Sequence, residues 1–204
     1  NKYDYKKLTD ILTMMLSASD KSLQSKEYQK DMVVVTKQIL DNLIIPLRKK
    51  INEAYQNKDT VELEKQVKIF LGVFDDQDRL LATQPEFLLG KWTHDARQFG
   101  KDPAAKAYYE KDARVLITTW GNEGNGIIDY ASRDLSGLVS SYYKVRWEKF
   151  FDILKNDIRN NLPLDMDSVN KKMASFEWNW TNQQQSFSDT PQGDPLEIVK
   201  EIHA

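Results

Sequence analysis

The sequence predicts an all-α protein, an irregular bundle of about seven to nine helices. Three observations carry that expectation. Apolar residues recur at helical spacing from one end of the chain to the other, no stretch keeps a two-residue alternation long enough for a sheet strand, and capping residues precede several of the periodic runs. With 204 residues, 40% apolar and 11% aromatic, the chain can bury enough surface to offset its conformational entropy. One domain spanning 1–204 is expected.

Leu8, Ile11, Leu12, Met15 and Leu16 form the first amphipathic stripe. Residues 32–55 read as a second helix, with Pro46 expected to kink or divide it near Ile45, because proline removes an amide donor and its ring clashes one turn back. Leu63, Val67, Phe70, Leu71, Phe74 and Leu81 make the next stripe, opened by Asp59 with Glu62 three residues on, the spacing of a capping box. A short helix is expected over 86–99, ended by Gly100. Asp102 and Pro103 then supply an N-cap and a first-turn proline for a helix with Tyr109, Ala113, Leu116, Ile117 and Trp120 on one face. Residues 121–126 hold three glycines and two asparagines, the chemistry of a loop that needs positive φ. From about Asp129 a long helix is expected through Leu135, Leu138, Val139, Tyr142, Tyr143, Trp147, Phe150, Phe151 and Leu154. Beyond Pro163 the composition turns polar, with Ser168 expected to cap a helix to Trp180, a glutamine-rich stretch over 183–188, and a last short helix from Pro195.

Charge and composition narrow the function classes. Lys and Arg total 29 against 31 Asp and Glu, and a net charge of -2 supplies no field that would gather phosphate backbones or anionic lipid, so nucleic acid is not expected as a partner. The longest apolar runs, 33–35 and 43–45, are far shorter than a bilayer span, and no membrane segment is expected. The chain opens at Asn1 without an initiator Met or a leader pattern and reads as an excised piece of a longer polypeptide. With no cysteine and two histidines, His94 and His203, that share no ligand spacing, neither a metal nor another cofactor is expected, and His203 reads as solvated. Asp75, Asp76 and Asp78 lack the glycine and distal glutamate of a calcium loop and read as a solvent face, as do Arg48, Lys49 and Lys50. Asn179 and Thr181 form a glycosylation acceptor pattern, relevant only in a glycosylating secretory pathway.

One region is chemically distinct. Trp120 and Tyr130 bracket the glycine-rich loop, and a pyranose can lay its C–H face on such rings while its hydroxyls need amides or carboxylates, for which Asn122, Glu123, Asn125 and Asp129 are candidates. The alternative is that both rings are core residues at a helix corner, and on composition alone buried aromatics are the commoner case.

The order of residues adds more. LLATQPEFLLGKW at 80–92, DAR at 95–97, YEKDAR at 109–114, ITTWGNEGNGIIDYA at 117–131 and SGLVSSYYKVRWEKF at 136–150 resemble the C-terminal domain of the α-N-acetylglucosaminidases, family eighty-nine of the glycoside hydrolases. YDYKKLTDIL at 3–12 and GDPLEIVKEI at 193–202 extend the resemblance over nearly the whole chain. It implies a helical domain that follows a (β/α)8-type barrel and packs on its active-site face, in a retaining enzyme that removes terminal α-linked N-acetylglucosamine from a glycan. Two barrel glutamates would act as acid/base and nucleophile, so no catalytic residue is expected here and the chain should be inactive alone. It implies that Trp120, Ile127 and Tyr130 contribute substrate-binding wall. The loop is one residue longer than the commoner WGxxGNxxDY pattern, so Ile127 is placed by counting back from Tyr130. Arg146 and Trp147 match an RW pair read as structural, the arginine fixing a carboxylate or carbonyl. Gly90 and Gly137 are expected inside helices at close crossings. By the same resemblance the setting is secreted, periplasmic or lysosomal. An independent sugar-binding module and a purely structural scaffold are the alternatives.

Overall fold

A computed structural model describes residues 4–124 and 126–204. Among them the structure is all-α, and the only sheet-like pairing is an isolated bridge between Leu88 and Ser136. No helix among the described residues is long and apolar enough to cross a membrane. The chain divides into two compact units, Asn1–Gln84 with Pro191–Ala204, and Pro85–Thr190.

The first unit holds α1 (Tyr5–Leu16), α2 (Asp20–Leu23), α3 (Lys26–Gln56), α4 (Thr60–Leu81) and the C-terminal helix. Side-chain oxygens of Asp4, Ser19, Ser25 and Asp59 accept from first-turn amides of these helices, answering donors that have no partner inside the helix. Asp59 accepts from the Glu62 amide at 3.0 Å, one half of the expected capping box, while the Glu62 carboxylate accepts from Gln66 instead. A three-residue connection lays α4 back along α3, and Met32, Val33, Leu40, Leu63, Phe70, Leu80 and Leu81 are sealed in the unit's core. Pro46 does not divide α3: it lies on an exposed face, while Leu47 and Ile51 beyond it are buried and hold the next turns in place. Asp75 is exposed and Asp76 pairs with Arg79 at 3.0 Å, while Arg48, Lys49 and Lys50 are exposed.

The second unit holds α5 (Leu89–Arg97), α6 (Pro103–Ile117), α7 (Lys144–Asn160) and α8 (Met166–Thr181), and the chain's last helix, α9 (Pro195–His203), belongs to the first. Asp194 caps α9, and Val199, fully buried, anchors it, a burial that contributes about 2 kcal/mol. Arg79 donates to Glu201 at 2.5 Å. His203 is not simply solvated, since its Nε2 lies 3.1 Å from the Thr13 hydroxyl.

The second unit builds its core from Leu89, Ile117, Leu135, Leu138, Tyr142 and Trp180, with Tyr143, Phe176 and Phe187 packed against them. Asp102 and Pro103 open α6 as expected. Four expectations change. The 86–99 segment is a 3-10 turn over Pro85–Phe87 followed by α5. The helix expected from Asp129 is irregular to residue 138, because Asp129, Ser132 and Gly137 all take positive φ; it continues as a π turn over Val139–Tyr143 and then α7. Asp165, not Ser168, caps α8, accepting from the amides of Asp167 and Ser168. The buried face of α6 is Glu110, Ala113, Arg114 and Ile117, leaving Tyr109 and Leu116 exposed.

Gly90 and Gly137 do mark close approaches, although not between helices. A β-carbon on Gly90 would lie 2.1 Å from the Ser188 carbonyl oxygen, and one on Gly137, at φ +90°, would lie 2.8 Å from the Phe187 ring. The segment carrying Phe187 and Ser188 is thus seated directly on these positions. Trp180 and Thr181 are buried in α8, so the acceptor pattern at Asn179 keeps its threonine hydroxyl bonded to the Trp178 carbonyl.

Candidate functional site

The site grows from the C-terminal end of α6. The Thr118 hydroxyl donates to the Arg114 carbonyl at 2.7 Å, and the Trp120 amide donates to the Val115 carbonyl at 2.8 Å. Trp120 itself sits at φ +57°, a left-handed conformation that a bulky residue adopts only when its surroundings impose it. The chain then turns through Gly124 and Gly126, both at positive φ, where the missing β-carbon removes the steric penalty. It returns when the Asp129 amide donates to the Thr118 carbonyl at 2.7 Å. Residues eleven apart are thereby tied at the base, and residues 122–124 and 126–128 between them are exposed.

That closure brings Trp120 and Tyr130 together. Their ring centroids are 5.1 Å apart at 50°, and the side chains are 41% and 70% exposed, so they form an open apolar shelf and not a buried helix corner. Ile127 lies on the same loop and is half exposed. Asn122 and Glu123 are exposed beside it, and Asn125 lies outside the described residues.

Asp129 differs from its expectation as a hydroxyl partner, because its carboxylate is taken up by the core. Arg146, on α7, donates from Nη2 to Asp129 Oδ2 at 2.5 Å and from Nη1 to Glu177 Oε1 of α8 at 2.9 Å. The guanidinium also lies over the rings of Tyr142 and Tyr143, at 5.2 and 5.5 Å. The structural reading of Arg146 therefore holds, with two carboxylates in place of one. Burial opposes the charge of Arg146, but Asp129 and Glu177 outweigh it and raise its pKa. Burial pushes the Glu177 carboxyl up, and Asp129 adds to that, against the opposing pull of Arg146. Both acids are thus paired with one arginine, and among the described residues the loop offers an apolar shelf with one exposed amide, Asn122, and one exposed carboxylate, Glu123.

A second feature escaped sequence reasoning. Trp92, Phe99, Tyr109 and Leu116 line a cavity of about 410 Å³ with Asp95 and Asp112 at its side, and a smaller one of about 220 Å³ opens beyond Trp92. Neither includes Trp120, Ile127 or Tyr130. The indole of Trp92 is fixed by donating to the Ala113 carbonyl at 2.9 Å. The available signal was the Glu110 and Arg114 spacing: one turn apart, they can share a face, and with Arg97 they form a buried ionic cluster that turns Tyr109 and Leu116 outward.

Comparison with known proteins agrees with the order of residues noted above. The human alpha-N-acetylglucosaminidase is 27% identical over 201 residues, which cover 98% of this chain and 27% of that protein. A family 89 glycoside hydrolase from Clostridium perfringens, solved in complex with PUGNAc, superposes with a TM-score of 0.87 at 28% identity, covering 98% of this chain and 23% of that one. The same coverage and TM-score are found for a variant of the Clostridium enzyme with two glutamate-to-glutamine substitutions, in complex with its substrate GlcNAc-alpha-1,4-galactose. The chain therefore spans about a quarter of the length of these relatives. The family described as the alpha-N-acetylglucosaminidase (NAGLU) C-terminal domain matches residues 1–204, and the chain belongs to that family.

Proposed function

We propose that this chain is the helical accessory domain of a retaining exo-α-N-acetylglucosaminidase, and that it supplies part of the wall around a terminal α-linked N-acetylglucosamine. The reacting carboxyl groups come from a barrel domain of the same polypeptide, as expected for a chain that spans about a quarter of its relatives' length. One observation carries the reading: Trp120 and Tyr130 pack ring against ring, tilted by 50° with centroids 5.1 Å apart, while both remain exposed. An exposed aromatic pair leaves apolar surface in water that an arriving sugar face would cover. Ile127 widens the apolar area, and Asn122 and Glu123 stand beside it for hydroxyl groups. Trp120, Ile127 and Tyr130 are all open to solvent, which favours an incomplete pocket over a self-contained sugar module.

The test is Trp120→Ala in the full-length polypeptide with an aryl α-N-acetylglucosaminide as substrate. Loss of one stacking face is expected to lower kcat/KM by roughly tenfold to a hundredfold, about 1.5–3 kcal/mol. Unchanged kinetics would reduce the loop to a scaffold. The isolated chain should neither hydrolyse that substrate nor saturate with N-acetylglucosamine; saturation would turn the assignment to an independent module.

A further inference from the structure

We infer that Arg146 is a positioning residue for the aromatic shelf, acting through Asp129 and backed by Glu177. The inference rests on the reading that Trp120 and Tyr130 meet the sugar, and it deepens that reading by naming what holds them. Among its described residues the loop that carries them has no regular helix from Thr118 to Gly137, so no helical ladder fixes its path. It also contains three left-handed, non-glycine residues, Trp120 at φ +57°, Asp129 at φ +54° and Ser132 at φ +46°, of which the first two bear on the shelf. A chain free to relax would leave such conformations, since they are unfavourable for residues with a β-carbon. Something must therefore hold each of them.

For Trp120 the tie is its amide bond to Val115. For Asp129 there are two ties, the amide bond to Thr118 and the carboxylate bond to Arg146. Its second carboxylate oxygen is buried and makes no hydrogen bond, so the side chain's hold on the core runs through Arg146. Arg146 is itself held by three neighbours: Glu177, its side chain only 4% exposed, accepts from the other terminal nitrogen, and the guanidinium lies 5.2 and 5.5 Å over the Tyr142 and Tyr143 rings. Tyr130 follows Asp129 directly, so fixing Asp129 fixes where the Tyr130 ring begins and hence its approach to Trp120. The fork geometry of arginine suits this role, because one planar group can grip two carboxylates at set angles, which a lysine cannot do.

The experiment uses the full-length polypeptide and four variants: Arg146→Met, Arg146→Lys, Trp120→Ala and the double variant Trp120→Ala with Arg146→Met. Glu110→Gln is the control, since it disturbs another buried arginine of the same unit away from the loop. At a temperature where all are folded, Arg146→Met is expected to raise KM for the aryl glycoside about tenfold with a smaller change in kcat. Arg146→Lys should fall between it and the parent, and Glu110→Gln should leave KM within twofold. If Arg146 acts through the shelf, the double variant should be no worse in kcat/KM than Trp120→Ala alone. Amide hydrogen exchange of the same proteins supplies a readout independent of activity: Arg146→Met should speed exchange at Trp120 and Asp129 at least tenfold and leave α6 unchanged. A Trp120→Ala enzyme with normal kinetics would defeat the shelf reading itself. A crippled Trp120→Ala enzyme beside an Arg146→Met enzyme with normal KM and normal loop exchange would defeat this inference alone.

Discussion

Replacing Glu110 with alanine should be among the most damaging single changes in the second unit, and the structure says why. Glu110 is 3% exposed and accepts from Arg97 Nε at 2.7 Å and from Arg114 at 3.1 and 2.7 Å. The two arginines would respond differently to its loss. Arg97 is about a third exposed and can be rehydrated, whereas Arg114 is fully buried between Trp180 and Phe187 with only the Gln185 carbonyl left to receive it. An uncompensated buried charge costs about 3–5 kcal/mol, against a total of roughly 5–15 kcal/mol for a domain. Glu110→Gln keeps the shape but loses the charge and one of the two acceptor oxygens, so it should cost nearly as much as the alanine variant. The informative variant is Glu110→Met with Arg114→Met, which removes the orphan along with its partner and should recover most of the loss. Urea unfolding followed by circular dichroism at pH 7 measures all three. A loss below about 1 kcal/mol in Glu110→Ala, or a double variant no more stable than it, would refute the view that the charge of Arg114 sets the penalty.

Two further outcomes follow from the same physics. Gly90→Ala should destabilise by more than about 2 kcal/mol, because its β-carbon meets the Ser188 carbonyl at 2.1 Å, while Gly72→Ala, in open space on α4, should stabilise by about 0.5–1 kcal/mol; thermal unfolding of both checks the contrast. The two buried glutamates should bend the stability profile in opposite senses, read from urea midpoints between pH 7 and pH 4. Burial raises Glu177, beside Asp129 and Arg146, above its ordinary 4.5, so the folded state binds the proton more tightly and stability is gained as pH falls toward 4.5. Burial also acts on Glu110, but Arg97 and Arg114 outweigh it and lower its pKa, so its contribution is present above 4.5 and is lost as pH falls through the lower folded value. Glu177→Gln should erase the gain and Glu110→Gln should reduce the loss.

What the sequence made legible was what short-range chemistry decides. Asp59, Asp102 with Pro103, and Pro195 open helices where expected, because an N-cap needs only a side chain and the amides two or three residues on. Ser168 was displaced by Asp165 because two cap candidates stood three residues apart and the carboxylate, accepting from two amides at once, is the stronger acceptor. The start of α7 was misplaced for another reason. Apolar spacing through Leu135, Leu138 and Val139 reports burial, which a loop and a π turn satisfy as well as an α-helix does. The inward turn of Glu110 and Arg114 was hidden because the third member of their cluster, Arg97, belongs to a different helix. At the loop, Trp120 and Tyr130 were recognisable as a pair, but their contact depends on the return of Asp129 to Thr118, a long-range bond that no local pattern announces.

The placement of the buried charges then has a common logic. A helix can be fixed by an apolar stripe, because its own ladder satisfies its backbone and leaves one face free to bury. A glycine-rich loop that must leave two aromatic rings in water has no such stripe to spend on anchorage. Hydrogen-bonded charges can hold it through a few directional contacts, and Arg146 with Asp129 does so at 2.5 Å from a base that is itself locked by Glu177. The second arginine, Arg114, is paired with Glu110 and its guanidinium faces Trp180 and Phe187, not the loop. The shelf therefore hangs on one ionic cluster whose removal is costly, while its exposed rings can be changed with little effect on folding. That separation makes Trp120 the variant in which an effect on catalysis can be read without a loss of structure.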